Sequence, residues 1–179
     1  MSTIGAPGST RALGAAERVR TWGRTASAVP VGVARPTTID AVAAAVRAAR
    51  DRGLTVKAIG SAHSFTDIAL TEGVMLDLAG LSGVVRVDAE QQRVTVLAGT
   101  PLHALSPLLA AHGLALQNMG DIDRQTVAGA TSTGTHGTGL GFRGLATQIT
   151  AAALVTAHGQ VLRLSEAEHP ELLPAVQLG

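Results

Sequence analysis

Apolar residues recur at Ile39, Val42, Val46 and Ala49, a spacing that lays them along one face of a helix, while Asp40, Arg47 and Arg50 take the other. This pattern predicts a helix over 39–52, capped by Thr37 or Thr38 and stopped by Gly53. Beyond Gly53 the period shortens. Short runs rich in β-branched residues predict strands at Thr55–Ile59, Val74–Leu78, Val84–Asp88 and Arg93–Ala98. The pair Thr100-Pro101 predicts a second helix, with Pro101 at its first position, running to Ala111 or His112 before Gly113. Leu114–Gln117 reads as a further strand. Ile149–Ala157 and Val161–Leu164 flank a turn at His158-Gly159 and predict a hairpin, followed by a helix from about Glu166. Helical and strand-like segments alternate, so the fold is mixed α and β.

Two stretches of small residues interrupt these elements. In VKAIGSAHSFTD (56–67) an apolar strand empties into Gly60, Ser61 and Ala62, and His63 is the one chemically versatile group there. Small side chains let backbone N–H groups approach an anion closely, and a nest of such amides binds phosphate without a lysine. The second stretch, GATSTGTHGTGLG (129–141), has the same character. A glycine-rich run by itself equally suits an ordinary flexible loop. Two of them in one chain point to one extended, phosphorylated ligand. Neither G-x-G-x-x-G directly between a first strand and a helix nor G-x-x-x-x-G-K-[ST] is present, so phosphate binding would use another frame.

Composition narrows the partner. A hydrophobic fraction of 46% over 179 residues supports one packed domain. The net charge of +1, with no basic run, argues against a surface that tracks nucleic-acid phosphates. An aromatic content of 2% argues against base-stacking platforms, which leaves a small molecule as partner. The absence of cysteine excludes a disulfide framework, a thiolate metal site and a cysteine nucleophile. His103, His112, His158 and His169 share no metal-ligand spacing and read as solvated helix or turn positions, so no metal site is expected. Met75 and Met119 read as core or pocket lining, and Trp22 as an anchor packing the N-terminal segment onto the domain. Met1–Thr10 lacks the charged and apolar regions of a secretion signal, and no apolar run is long enough for a membrane span. A cytoplasmic protein is the expectation, with peripheral membrane association left open.

From Trp22 to Gly179 the chain resembles the flavin-binding domain of the aldonolactone oxidoreductases, the gulonolactone, arabinonolactone and galactonolactone oxidases or dehydrogenases, and is similar to the related alditol oxidases. The matching segments, in order, are Arg35-Pro36, GSAHSFTDIA (60–69), VTVLAGTPLHAL (94–105), HGLALQNMGDID (112–123), VAGATSTGTHGTG (127–139) and ATQITAAALVTAHGQVL (146–162). The resemblance implies an α+β fold, the two-subdomain FAD-binding domain of the vanillyl-alcohol oxidase (PCMH) type, with FAD extended between the subdomains. It divides the chain into a flexible leader over 1–21 and a partial FAD-binding domain over 22–179. The family's remaining strand and substrate-binding cap would follow Gly179.

The resemblance also implies roles for residues. Gly60-Ser61-Ala62-His63-Ser64 matches the family's G-x-x-H-S loop, which makes His63 the imidazole that bonds to the flavin 8α carbon in many members. Ile59 enters that loop. Some members lack this histidine and hold FAD noncovalently. Gly129, Gly134, Thr135, His136 and Gly137 match the second motif, and with Asp121, Thr126 and Thr133 they would lie along the pyrophosphate, ribityl chain or ring. His136 would place an N–H near the flavin, or hold its own loop together. The implied activity is oxidation of a secondary alcohol carbon of a sugar-derived lactone by hydride transfer to FAD, with oxygen or an electron carrier as acceptor. The alternatives are an alditol (polyol) oxidase and a noncatalytic FAD-binding module or fragment. The substrate-activating catalytic residues are expected beyond Gly179.

Overall fold

The computed structural model describes residues 17–178. Most of the assigned leader lies outside the described residues, but Val19–Arg20 form a strand, β1, paired antiparallel with β2 (Ser27–Ala28). A three-stranded parallel sheet follows, built from β3 (Gly32–Ala34), β4 (Val56–Ile59) and β5 (Val74–Asp77) in the order β3-β5-β4. Its central strand carries Val74, Met75 and Leu76, all buried, as a strand covered on both faces requires.

The crossover from β3 to β4 is α1 (Ile39–Arg50). Thr38 caps it: its Oγ1 accepts the Ala41 N–H at 3.1 Å, an interaction worth about 1 kcal/mol. Gly53 ends it with φ +65°, and the Leu54 N–H turns back to the Ala49 carbonyl at 2.9 Å. The buried face is Ala43, Val46 and Ala49. Ile39, placed on that face by periodicity, lies in the first turn of the helix and is exposed.

A bulged hairpin of β6 (Val84–Asp88) and β7 (Arg93–Val96) leads to α2 (Leu102–Ala110), whose Leu102, Leu105 and Leu109 are buried. Pro101 is the cap of α2 rather than its first residue: its ψ of 143° is extended. Residues 114–117 form no strand. The Gln117 N–H is taken instead by the Gln148 side chain at 3.3 Å, so no neighbouring strand is there to complete a ladder. Then come α3 (Val127–Thr131), the antiparallel pair β8 (Ala151–Val155) and β9 (Val161–Ser165), and α4 (Leu173–Leu178). The predicted last helix starts seven residues late, at Leu173 rather than Glu166. Pro170 disfavours a helical residue before it, and His169 takes φ 55° in the turn. The result is an α+β fold. Among the described residues no helix is long and apolar enough to cross a membrane.

Candidate functional site

The sheet and α3 bring the two small-residue stretches together. β4 ends at Ile59, which is buried against Leu70 and Met75, so the chain leaves the sheet at Gly60 in a fixed direction. The second stretch is held from the other side. Residues 98–103 run antiparallel to 123–128, with Leu102 N–H to Gln125 O at 2.9 Å, Val127 N–H to Thr100 O at 2.8 Å and Ala128 N–H to Ala98 O at 2.9 Å. Buried Thr100 locks this crossing by donating to the Leu97 carbonyl at 2.6 Å and accepting the Gly83 N–H at 2.9 Å.

The two stretches touch at Gly60 and Thr126. A Cβ added at Gly60 would collide with Thr126 Oγ1, so the absence of a side chain is what allows the approach. That same Oγ1 accepts the Gly129 N–H at 3.2 Å and caps α3. Ser61 Oγ donates to the Arg124 carbonyl at 2.5 Å and adds a second tie.

Between them lies a cleft of about 190 Å³ lined by Ile59, Gly60, Ser61, Ala62, His63 and Ser64 on one wall and by Gln125, Thr126, Ala128, Gly129, Ser132 and Thr133 on the other. Ala58, Ile68, Ala69 and Leu78 close its apolar side. A neighbouring cleft of about 170 Å³ shares Gly60, Ser61 and Thr126 and extends past Asp77, Ala79, Ser82, Gly99 and Pro101. The two clefts meet at these residues and are the two parts of the site. No charged side chain lines the first part. Asp77, the charged residue of the second, is paired with Arg35 at 3.1 Å.

The groove offers backbone donors instead. Among the described residues, the amides of residues 60–64 have no acceptor within the chain. Ala62 holds φ 54°, a left-handed turn within this run. His63 is half-buried at the rim, and its ring lies flat against the indole of Trp22, with centroids 5.3 Å apart and planes 14° apart. Trp22 itself is 63% exposed, so it anchors the N-terminal segment through His63 and Phe65 rather than by burial in the core.

The remaining residues singled out from the sequence are placed differently. Gly129 belongs to α3 and not to a flexible loop, because Thr126 caps a helical turn there. Thr135 stands behind the groove wall and accepts a hydrogen bond from Gln125 Nε2 at 2.9 Å. His136 is exposed and its Nδ1 meets the Gly137 carbonyl at 2.9 Å, which ties its own loop. Gly134, at φ +65°, shapes the turn between them. Asp121 is exposed and lines neither part of the groove. Gln125 and Ser132 do line it, and sequence reasoning missed both. For Ser132 the available signal was its hydroxyl within a run of small residues, whereas Gln125 stands between Arg124 and Thr126 with no such signal. His103, His112, His158 and His169 are all exposed on helix or turn positions.

Comparison with known proteins adds lineage to this geometry. The chain is 49% identical over 139 residues to L-gulono-1,4-lactone dehydrogenase of Mycobacterium tuberculosis, covering 78% of this chain and 32% of that protein. It is 38% identical over 161 residues to bovine L-gulonolactone oxidase, covering 90% of this chain and 37% of that one. The chain thus spans about a third of the length of these curated relatives. Among solved structures, glucooligosaccharide oxidase of Acremonium strictum, whose FAD is described as 6-S-cysteinyl and 8α-N1-histidyl, superposes with a TM-score of 0.80 at 24% identity. That match covers 89% of this chain and 34% of the other, and it shows the fold. The profile of the FAD binding domain family matches residues 30–165, which take in the parallel sheet, both walls of the groove and the β8–β9 hairpin. By that match, the chain belongs to the FAD binding domain family.

Proposed function

We propose that the groove between residues 59–64 and 125–133 holds FAD, and that the whole protein oxidises a secondary alcohol carbon of a sugar-derived aldonolactone. The observation that carries the proposal is that residues 60–64, whose amides have no acceptor among the described residues, line one cleft with Thr126, Ser132 and Thr133, in a chain of the FAD binding domain family. The residues present fit the cofactor. An uncharged, amide-rich concavity suits a pyrophosphate, and the apolar side formed by Ile68, Ala69 and Leu78 suits a flat ring system. FAD, once bound, supplies the two-electron acceptor that takes hydride from the alcohol carbon.

The chain's own residues bind and orient. Amides of Gly60–Ser64 and the hydroxyl of Ser132 would hold the phosphates, and Thr133, whose Oγ1 donates to the Gly129 carbonyl at 2.8 Å, would accept from a ribityl hydroxyl. Thr126 holds α3 against Gly60, and Gln125 carries the support of Thr135 to the wall. Gly134 and His136 keep the turn behind that wall in shape, and Asp121 lies on the lead-in to it. His63, at the rim of the groove, would be the imidazole that bonds to the flavin 8α carbon. The lactone substrate is supported by the 49% and 38% identities to gulonolactone-oxidising proteins, and the acceptor is oxygen or an electron carrier.

The purified chain should be yellow, and flavin fluorescence should stay with the polypeptide after acid precipitation. His63→Ala should release all of it while retaining FAD noncovalently. A folded, colourless protein that fails to take up added FAD would refute the cofactor assignment. Complete wash-out of wild-type flavin on denaturation would refute the covalent role of His63 alone.

A further inference from the structure

Between Gly60 and Ser64 no other side chain has the bulk to fix His63. Its neighbours are Gly60, Ser61, Ala62 and Ser64, and among the described residues neither ring nitrogen of His63 makes a hydrogen bond within the chain. The ring is held instead by the turn between β1 and β2. Trp22 lies parallel to it at 5.3 Å, and Phe65 meets the indole edge-on at 6.3 Å and 88°. The same turn grips the backbone on both sides of His63: the Trp22 N–H donates to the Ala62 carbonyl at 2.8 Å, and Thr25 Oγ1 donates to the Phe65 carbonyl at 2.6 Å. The turn is itself stiff. Buried Thr21 accepts the Ala26 N–H at 3.2 Å and bonds Thr25 Oγ1 at 3.1 Å.

We propose that Trp22 is the positioning residue for His63, stacking on the imidazole so that a ring nitrogen is directed in its own plane toward the flavin 8α carbon. The proposal rests on the covalent reading of His63 given above. A nitrogen lone pair lies in the plane of the imidazole ring, so confining that plane confines the direction of attack. In the net reaction, the 8α methyl loses one C–H and the imidazole one N–H, a C–N bond forms, and two protons and two electrons pass to dioxygen, which leaves as hydrogen peroxide. Trp22 takes no part in these transfers. It raises the fraction of time the nitrogen spends on the line of approach.

The test follows flavin incorporation rather than turnover. Wild type, Trp22→Phe, Trp22→Leu and His63→Ala are mixed with FAD in air. Total bound flavin and acid-stable flavin are then followed over time. Trp22→Phe keeps a ring to stack and should incorporate flavin within about threefold of wild type, whereas Trp22→Leu should be about tenfold slower at unchanged noncovalent affinity, the loss expected for an aromatic pair. A second readout needs no cofactor: in the flavin-free chain the His63 ring protons, assigned with His63→Ala, should be shifted upfield by the indole and should move back in Trp22→Leu. Incorporation by Trp22→Leu at the wild-type rate would overturn the proposal and leave the reading of His63 intact. So would a Trp22→Phe variant as slow as Trp22→Leu. Unshifted His63 protons in the wild type would also overturn it, even if Trp22→Leu fails to fold. Wild type that binds FAD with no acid-stable fraction would remove the covalent reading, and this proposal with it.

Discussion

Gly60→Ala probes the contact on which the groove depends. Gly60 does not take a left-handed φ, so alanine is allowed by the backbone and the perturbation is steric. The new methyl would overlap Thr126 Oγ1 and lie 3.2 Å from its Cγ2 and 3.3 Å from its Cβ. Thr126 is β-branched and 7% exposed, so it has little room to give. Rotating its side chain away sacrifices the cap on α3, at about 1 kcal/mol. Keeping the cap forces the two walls apart, at about 1–3 kcal/mol for an overpacked contact. Either route costs about 1–3 kcal/mol, and if the strain falls on the bound state FAD should bind about 5- to 150-fold more weakly. The decisive comparison is a double-mutant cycle. Thr126→Ala removes the obstructing atoms, so Gly60→Ala on that background should cost less than about 0.5 kcal/mol, and the two changes should be coupled by at least about 1 kcal/mol. Urea unfolding of the flavin-free chain and FAD titration by fluorescence give both quantities. Additive effects of the two substitutions would refute the reasoning, because the penalty would then arise from something other than this contact.

Other positions give contrasting outcomes. Gly99→Ala would drive a methyl into the Leu78 and Leu81 carbonyls, both backbone, and should cost at least about 3 kcal/mol or prevent folding, read by the same urea titration. Ala62→Gly should be neutral or stabilise by up to about 1.5 kcal/mol. The left-handed conformation costs an L-residue about 1–2 kcal/mol, against about 0.5–1 kcal/mol for the greater freedom of glycine in the unfolded chain. A drop in Tm for this variant would show that the methyl makes a contact worth more than the strain. Arg47→Ala removes the 2.8 Å bond from Nη1 to the Gly159 carbonyl, which ties α1 to the β8–β9 turn, and should cost about 1 kcal/mol by thermal denaturation, without affecting FAD affinity.

The elements were largely legible because their signals are local. Thr38 and Gly53 mark the ends of α1 through bonds made within a few residues, and the turn at His158-Gly159 joins two runs that pair with each other. The His63 loop was legible for the same reason, since a strand that empties into Gly60, Ser61 and Ala62 announces itself in consecutive residues. The absence of a strand at 114–117 was not legible. A short apolar run becomes a strand only if another edge is free to pair with it, and here the Gln148 side chain takes that place.

Assembly of the site was decided by the tertiary structure. Ser61 and Arg124 are 63 residues apart in the chain, and Thr25 and Phe65 are 40 apart, so no periodicity reports their contacts. Only the packing of β4 against β5, and of residues 98–103 against 123–128, sets Gly60 against Thr126. That choice turns Gln125, Ser132 and Thr133 into the groove while His136 closes on its own loop. The sequence by itself determined which loops carry small residues and where the one histidine among residues 56–67 stands, because turn chemistry is read residue by residue. Which amides face a ligand, and which ring holds that histidine in plane, depended on contacts between segments that only the folded sheet brings within reach.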